Sequence, residues 1–454
     1  MPDFSKLPLS ALIAPQGYAC SCGRRHAAPV EFLCIESGAV RRLPEALSRL
    51  GVRRPFIVCD PRSKAAAWEP VRRVLEEAGI AGCLFCFPEG RLEPDERAAG
   101  SLMLAFDPSC DCVLGIGSGV INDCCKMLAH VSGRKQLIVA TAPSMDGYAS
   151  NSSAMIRDRV KVTIYNAPPA AILCDTDILR SAPMRMLQAG LGDMLAKYVS
   201  VCEWRISHIV HGDPYCEEIA GMVRACLKKI VDQADGLMRR EPEALKAVLE
   251  GLVISGMSMA FAEISRPASG LEHYFSHLWE MQALQRGKPS DLHGIQVGVG
   301  TLIVLWIYEH MLATEAVDTA KAETAMQKFS QDVWEKQMEE IFGPVTPTVL
   351  AIEEKVGKNR PETQQAHLRT ITEHWAEIRQ IIREELPPRD QILALMKRCG
   401  MPLVPADLGL THQDTLAAFL GSREIRDKYL TSSLLWDLGL LQETANRLEE
   451  AVRV

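Results

Sequence analysis

At 454 residues, 47% hydrophobic and 24% charged, the chain is long and apolar enough for two or three packed domains. A formal net charge of −7 argues against a nucleic-acid surface, whose usual footprint is basic. The fifteen cysteines lie scattered in apolar stretches such as Asp111-Cys112-Val113 and Asp123-Cys124-Cys125-Lys126, so they read as free thiols of a reducing cytoplasm rather than a disulfide framework.

The opening residues, Met1-Pro2-Asp3-Phe4-Ser5-Lys6, do not pair a basic start with an apolar run, so no secretory leader is expected. No run of about 18 apolar residues reads as a membrane span. Cys20-Ser21-Cys22-Gly23-Arg24-Arg25-His26 follows. Its cysteines and histidine have the chemistry of zinc ligands. The spacing is not that of a finger and no second pair follows nearby, so a tight turn between two short strands is expected. Short apolar runs then alternate with amphipathic stretches. Residues 32–35, 55–60, 82–87, 112–116, 136–141 and 170–175 read as strands, and 40–50, 65–78 and 93–106 as helices between them. Residues 154–156 and 160–165 read as a hairpin. This rhythm predicts a parallel sheet with helices on both faces over residues 1–182. Past Thr176 the strand signal fades, and the boundary is placed near Pro183. Residues 183–454 are rich in helix formers and read as an all-helical domain. Residues 311–395 carry charges at helical spacing, as solvated faces do.

The fourth strand runs into Gly115-Ile116-Gly117-Ser118-Gly119-Val120-Ile121-Asn122-Asp123. A turn after a strand and before a helix lets backbone N–H groups approach a pyrophosphate. This one lacks the last glycine of G-x-G-x-x-G and is the fourth such turn, so a purely structural turn stays open. Asp60, at a strand end, suits the hydroxyls of an adenosine ribose or a simple cap. Thr141-Ala142-Pro143-Ser144-Met145-Asp146-Gly147-Tyr148-Ala149-Ser150 suits cofactor and substrate contacts, or a surface turn. Gly190-Leu191-Gly192-Asp193 reads as a helix start, with Asp193 as N-cap or metal ligand. His273 and His277 share a helix face, and His293 precedes Gly294 in a break between helices. Asp193, His273 and His293 would give three ligands and an open position, the pattern of a catalytic divalent-metal site.

The order of these motifs resembles a superfamily of iron-dependent alcohol dehydrogenases, glycerol dehydrogenases, 3-dehydroquinate synthases and sn-glycerol-1-phosphate dehydrogenases. Two stretches look most like the bacterial sn-glycerol-1-phosphate dehydrogenases: Ala142 to Ser150, and Ser269-Gly270-Leu271-Glu272-His273-x-x-Ser276-His277. The early Cys20-x-Cys22-Gly23-x-x-His26 and the late Arg426-Asp427-Lys428-Tyr429 look like that branch too. The resemblance spans most of the chain and is weakest over 311–400.

That resemblance implies a dehydroquinate synthase-like fold, with a dinucleotide-binding α/β domain (1–182) and a helical metal- and substrate-binding domain (183–454). It implies reversible reduction of dihydroxyacetone phosphate to sn-glycerol 1-phosphate with NADH or NADPH, and one divalent ion: zinc, nickel or iron. Asp60, Gly119, Val120, Ile121, Asn122, Asp123, Thr141, Ala142, Pro143, Ser144 and Ser150 would contact the cofactor. Asp193, His273 and His293 would hold the metal. Asp146, Asp193 and His277 would face substrate and do the chemistry. Arg266 and Lys288 are candidates for the phosphate only by closeness in sequence. A homodimer or larger homo-oligomer, a cytoplasmic setting and a place in ether-type lipid synthesis come with the resemblance. A polyol dehydrogenase or a 3-dehydroquinate synthase is the alternative on this fold. Val120-Ile121-Asn122-Asp123 is near the synthases' Gly-Val-Ile-Gly-Asp form, but synthases resemble one another in a Glu where this chain has Asp193. They also carry Ser-Val-Gly-Gly-Lys-Thr where this chain reads Tyr148-Ala149-Ser150-Asn151-Ser152-Ser153. A non-catalytic nucleotide-binding member would need a broken motif, and none is broken.

Overall fold

Five apolar runs and one shorter, half-buried one build a six-stranded parallel sheet: β3 (Phe32–Glu36), β4 (Pro55–Cys59), β5 (Cys83–Cys86), β6 (Cys112–Gly117), β7 (Lys135–Ala140) and β10 (Ala171–Asp175). The strands lie in the order β3-β10-β7-β6-β4-β5. The computed structural model describes residues 4–13, 16–158 and 160–453, so Met1, Pro2 and Asp3 of the stretch read for a leader lie outside them. β4, β6 and β10 are buried along their whole length, as strands covered on both faces must be. Cys112, Leu114 and Ile116 join one core with Val71 and Leu173, while Val113 joins another with Leu102 and Leu128. This is the two-residue alternation of a strand.

Two antiparallel hairpins accompany the sheet: β1 (Tyr18–Ala19) with β2 (Arg25–His26), and β8 (Ser152–Arg157) with β9 (Val160–Tyr165). Each expected strand is present within one or two residues. One helix starts earlier than its apolar pattern. It runs Pro61–Glu77, because Asp60 and Ser63 form a reciprocal capping box and Pro61 takes the first helical position.

Contacts group the chain into two compact units. The first takes 1–195, 216–268 and 292–295, and holds the sheet with the helices Met184–Leu195, Glu217–Asp232 and Pro242–Ala262. The second takes 196–215, 269–291 and 296–454. It is helical among the described residues and packs Phe275, Trp279, Trp375 and Phe419 in its core. The units are thus drawn across the chain rather than on either side of residue 183.

Pro242–Ala262 and His293–Leu312 are long and apolar enough to cross a membrane, which reading for one unbroken apolar run passed over. Their most apolar windows are 78% and 83% buried inside the protein, which makes them core helices.

Candidate active site

Three loops meet at the carboxyl ends of the adjacent strands β4, β6 and β7. Gly117 pairs with Ala140, Val58 pairs with Gly115, and Asp60 follows Val58 by two residues. Asp60, the Gly117–Gly119 turn and the 141–150 loop therefore leave the sheet at one edge, where ligands of open α/β sheets bind. The turn feeds the helix Gly119–Ser132, whose first N–H groups are available to an anion. At Gly117 a Cβ would come within 2.6 Å of Ile121, so only glycine lets this helix sit so close.

The other polar groups here hold the loops. Asp60 Oδ1 accepts from Ser63 N at 2.7 Å, so the capping role weighed in the sequence is realised. Asn122 is fully buried, with Nδ2 donating to Gly147 O at 3.0 Å while Oδ1 accepts from Gln136 at 3.1 Å. Thr141 N donates to Gly117 O at 3.0 Å, and Tyr148 OH to Ala142 O at 2.7 Å.

Lys126, which the sequence did not single out, is the hub of this region. Its ammonium is 3.0 Å from Gly147 O and 3.1 Å from Ser150 Oγ, bonds Ser152 O, and lies 3.3 Å from the Asp123 carboxylate. Burial pushes the Lys126 pKa down, against the attraction of Asp123, and pushes that of Asp123 up. The signal was present: Lys126 follows Asn122 by four and Asp123 by three, on one helix face.

Asp193 is fully buried. It does not begin a helix, as Gly190 and Gly192 suggested, but sits in the last turn of Met184–Leu195. Those glycines are no breakers. A Cβ on Gly190 would lie 1.9 Å from Pro143 O, so the missing side chain lets the helix backbone rest on the 141–150 loop. The contact brings Asp193 Oδ2 within 2.9 Å of Asp146 N, while Ser255 Oγ donates to Asp146 Oδ2 at 2.8 Å. Gly256 packs on the same loop, where a Cβ would lie 2.6 Å from Asp146 O. Gly294 meets this helix the same way: its Cβ would fall 2.0 Å from Ala189 O. His293 therefore starts its own helix beside the turn that precedes Asp193.

In the second unit, Gly270 caps the helix Leu271–Gln285, which carries His273 and His277. Their ring centroids are 6.4 Å apart. Glu272, fully buried, accepts from Gly270 N and from His273 Nδ1, each at 2.7 Å. With Nδ1–H so committed, the lone pair of His273 lies on Nε2, the arrangement a metal-bound histidine takes from a carboxylate behind it. Glu272 was quoted in the motif without a role, and its place beside a candidate ligand at a helix start was the signal. Glu203 Oε2 accepts from Leu271 N at 3.1 Å and Glu203 Oε1 from Thr431 N at 3.0 Å, which fixes this helix start further. Lys428 Nζ donates to Ser269 O at 2.9 Å. Of the two phosphate candidates, Arg266 is buried and Lys288 exposed.

Residues 34–183 match the family model described as iron-containing alcohol dehydrogenase. A glycerol-1-phosphate dehydrogenase [NAD(P)+] of Halalkalibacterium halodurans is 33% identical over 309 residues, covering 67% of this chain and 77% of that protein. The chain belongs to the glycerol-1-phosphate dehydrogenase family. Another member with that name, from Geobacillus stearothermophilus, is 29% identical across 87% of this chain and 89% of its own. Among solved structures, glycerol dehydrogenase from Schizosaccharomyces pombe superposes with a TM-score of 0.60 at 15% identity, covering 93% of this chain and 91% of that one. A probable glycerol dehydrogenase from Sinorhizobium meliloti gives 0.59 at 16% identity, covering 93% and 98%. At such identity these structures speak for the fold of this glycerol-1-phosphate dehydrogenase family member, which is the dehydroquinate synthase-like one the motifs implied.

Proposed function

We propose that this chain is a metal-dependent oxidoreductase that reversibly reduces dihydroxyacetone phosphate to sn-glycerol 1-phosphate with NADH or NADPH. The observation that carries this reading is the Halalkalibacterium relative, of whose length 77% is matched at 33% identity. Residues 1–182 serve the dinucleotide and 183–454 the metal and substrate. Gly119 to Asp123, Thr141 to Ser144, Ser150 and Asp60 serve the cofactor, through backbone N–H groups at the helix start and through hydroxyls and the Asp60 carboxylate at the strand ends.

Asp193, His273 and His293 are the metal ligands in this reading. The donor set fits a divalent ion such as zinc, nickel or iron: a fully buried carboxylate and two imidazoles, one backed by a buried glutamate. When bound, the ion supplies Lewis-acid polarisation of a substrate oxygen, and the reduced nicotinamide supplies hydride. The side chains do the rest. Ser255 donates to the Asp146 carboxylate and orients it, and Asp146 contacts the substrate in this reading. Asp193 holds the same loop by its backbone, which couples the substrate contact to the ligand position. His277 delivers the proton at the carbon-2 oxygen of the substrate. The protein works as a homodimer or larger homo-oligomer in a reducing cytoplasm, where its product feeds ether-type lipid synthesis. Fifteen cysteines without a disulfide among the described residues suit that compartment.

The test is NADH oxidation by metal-loaded protein given dihydroxyacetone phosphate, with glycerol and NAD in the reverse direction beside it. Rapid oxidation, a product of sn-1 configuration, and loss of both in Asp193→Ala are expected. His277→Asn should change the pH profile of turnover. Turnover of glycerol alone would move the chain to the polyol dehydrogenases. Silence with both would point to the synthase substrate.

A further inference from the structure

The turn Cys20-Ser21-Cys22-Gly23-Arg24-Arg25-His26 has no part in that chemistry. Its Cys20 and His26 side chains are buried and Cys22 is half-buried, and the fold brings a buried partner to them from 190 residues away. Cys216 Sγ lies 3.5 Å from Cys20 Sγ and 3.5 Å from His26 Nε2, while Cys22 Sγ lies 3.2 Å from the same Nε2. One ligand atom from each of the four residues lies within 4.8 Å of all the others. We propose that Cys20, Cys22, Cys216 and His26 form a closed, four-coordinate structural site for one zinc ion.

The spacing is that of a tetrahedron awaiting its centre. Zinc bonds of about 2.3 Å to sulfur and about 2.0–2.1 Å to nitrogen place tetrahedral ligands roughly 3.5–3.8 Å apart. The three separations of 3.2–3.5 Å need only a few tenths of an ångström of adjustment, and the other three lie within 4.8 Å. Three thiolates and an imidazole leave no open position, which marks a structural rather than a catalytic centre, and soft sulfur donors select zinc over the hard cations.

The surroundings are arranged for ligation. His26 Nδ1 is 2.8 Å from Phe261 O, so Nδ1–H donates to the carbonyl and Nε2 faces the thiols with its lone pair. The imidazole packs against both Phe4 and Phe261, each with a centroid 5.9 Å away, which shields the buried ring. Within the turn, Gly23 N donates to Cys20 O at 3.1 Å and Cys20 N to Arg24 O at 2.9 Å, with Gly23 at φ +83°. This reversal folds Cys22 back beside Cys20 and His26. Cys216 opens the sixteen-residue helix Glu217–Asp232, whose N-terminal end favours the net negative charge of three thiolates on a divalent ion. Arg24 donates to Ala262 O at 3.3 Å, so the turn also grips the end of the helix Pro242–Ala262. An ion here would staple the start of the chain to two helices that follow it by about 200 residues, and its binding energy would be folding energy.

The experiment measures zinc in full-length protein after dialysis against a chelator strong enough to remove loosely held metal. One zinc per chain should remain, and X-ray absorption should find three sulfur neighbours at about 2.3 Å and one nitrogen at about 2.0–2.1 Å. Asp193→Ala should keep this zinc, which separates it from the ion of the reaction. Cys22→Ser and Cys216→Ser should each lose it and unfold at lower temperature. Should either variant fail to fold, the absorption spectrum of the wild type decides alone. Only nitrogen and oxygen neighbours, no tightly held zinc, or a Cys20–Cys216 disulfide in freshly alkylated protein would overturn the proposal.

Discussion

Replacing Gly190 by alanine sets two effects of opposite sign against each other. In a helix interior, alanine is favoured over glycine by about 1 kcal/mol, so propensity alone predicts a more stable protein. The packing predicts the reverse. The new Cβ would stand 1.9 Å from Pro143 O, and an ordinary contact begins at 3.4 Å, so helix and loop must separate by about 1.5 Å. Both partners are main chain, and no side-chain rotamer can absorb the overlap. Such overpacking costs about 1–3 kcal/mol. A shift of that size also breaks the 2.9 Å bond from Asp146 N to Asp193, worth about 1.5–3 kcal/mol for a charged acceptor. The expected net is a loss of roughly 1.5–5 kcal/mol after the helix gain is subtracted, together with weaker metal binding. Urea denaturation gives the stability, and titration of metal-free protein gives the affinity. A Gly190→Ala protein as stable as wild type, with unchanged metal affinity, would refute the claim that this contact sets the site.

Glu272→Gln removes the charge behind His273 while keeping its shape, and metal affinity should fall about 10–100-fold, read by competition with a chromophoric chelator. Unchanged affinity would remove His273 from the ligand set. Lys126→Met fills the same space but takes the cation from the Asp123 carboxylate, which is 17% exposed, and should cost about 1–3 kcal/mol in urea denaturation. Asp107 is held down to about 2 by hydrogen bonds from the Ser109 side chain and backbone and from Cys83. Its pKa is depressed on folding, so its contribution is present above 3.8 and lost as pH falls toward about 2. Asp107→Asn should therefore flatten the acid limb of the stability curve within that window, and a limb as steep as that of the wild type would count against it.

The sheet was legible because β4, β6, β7 and β10 are apolar runs of five or six residues bounded by acids and glycines. The early end of Pro61–Glu77 was less so, since Asp60 reads equally as a strand end, a ribose acceptor or a cap until Ser63 is seen bonding back. Asp193 was read as a candidate ligand at a helix start, and it lies in the last turn of its helix instead. Two glycines look like a helix boundary unless the carbonyl that occupies the missing side chain's space is known. Glu272 was visible beside His273, yet its role depends on which imidazole nitrogen it meets. The cysteine turn was read as a tight turn between two short strands, which it is. The approach of Cys216 to it was not legible, because 190 residues of separation carry no periodic signal.

The close approaches at Gly190 and Gly294 have a consequence for how this site can be altered. Where two side chains touch, enlarging one can be answered by trimming the other. Here the opposing groups are the carbonyls of Pro143 and Ala189, which every residue type possesses, so no substitution at the partner position can make room. Second-site suppressors of either glycine variant would have to shift a whole loop or helix. Redesign around these contacts has its freedom in side chains such as Ser255, and not in the main-chain contacts that hold the loop.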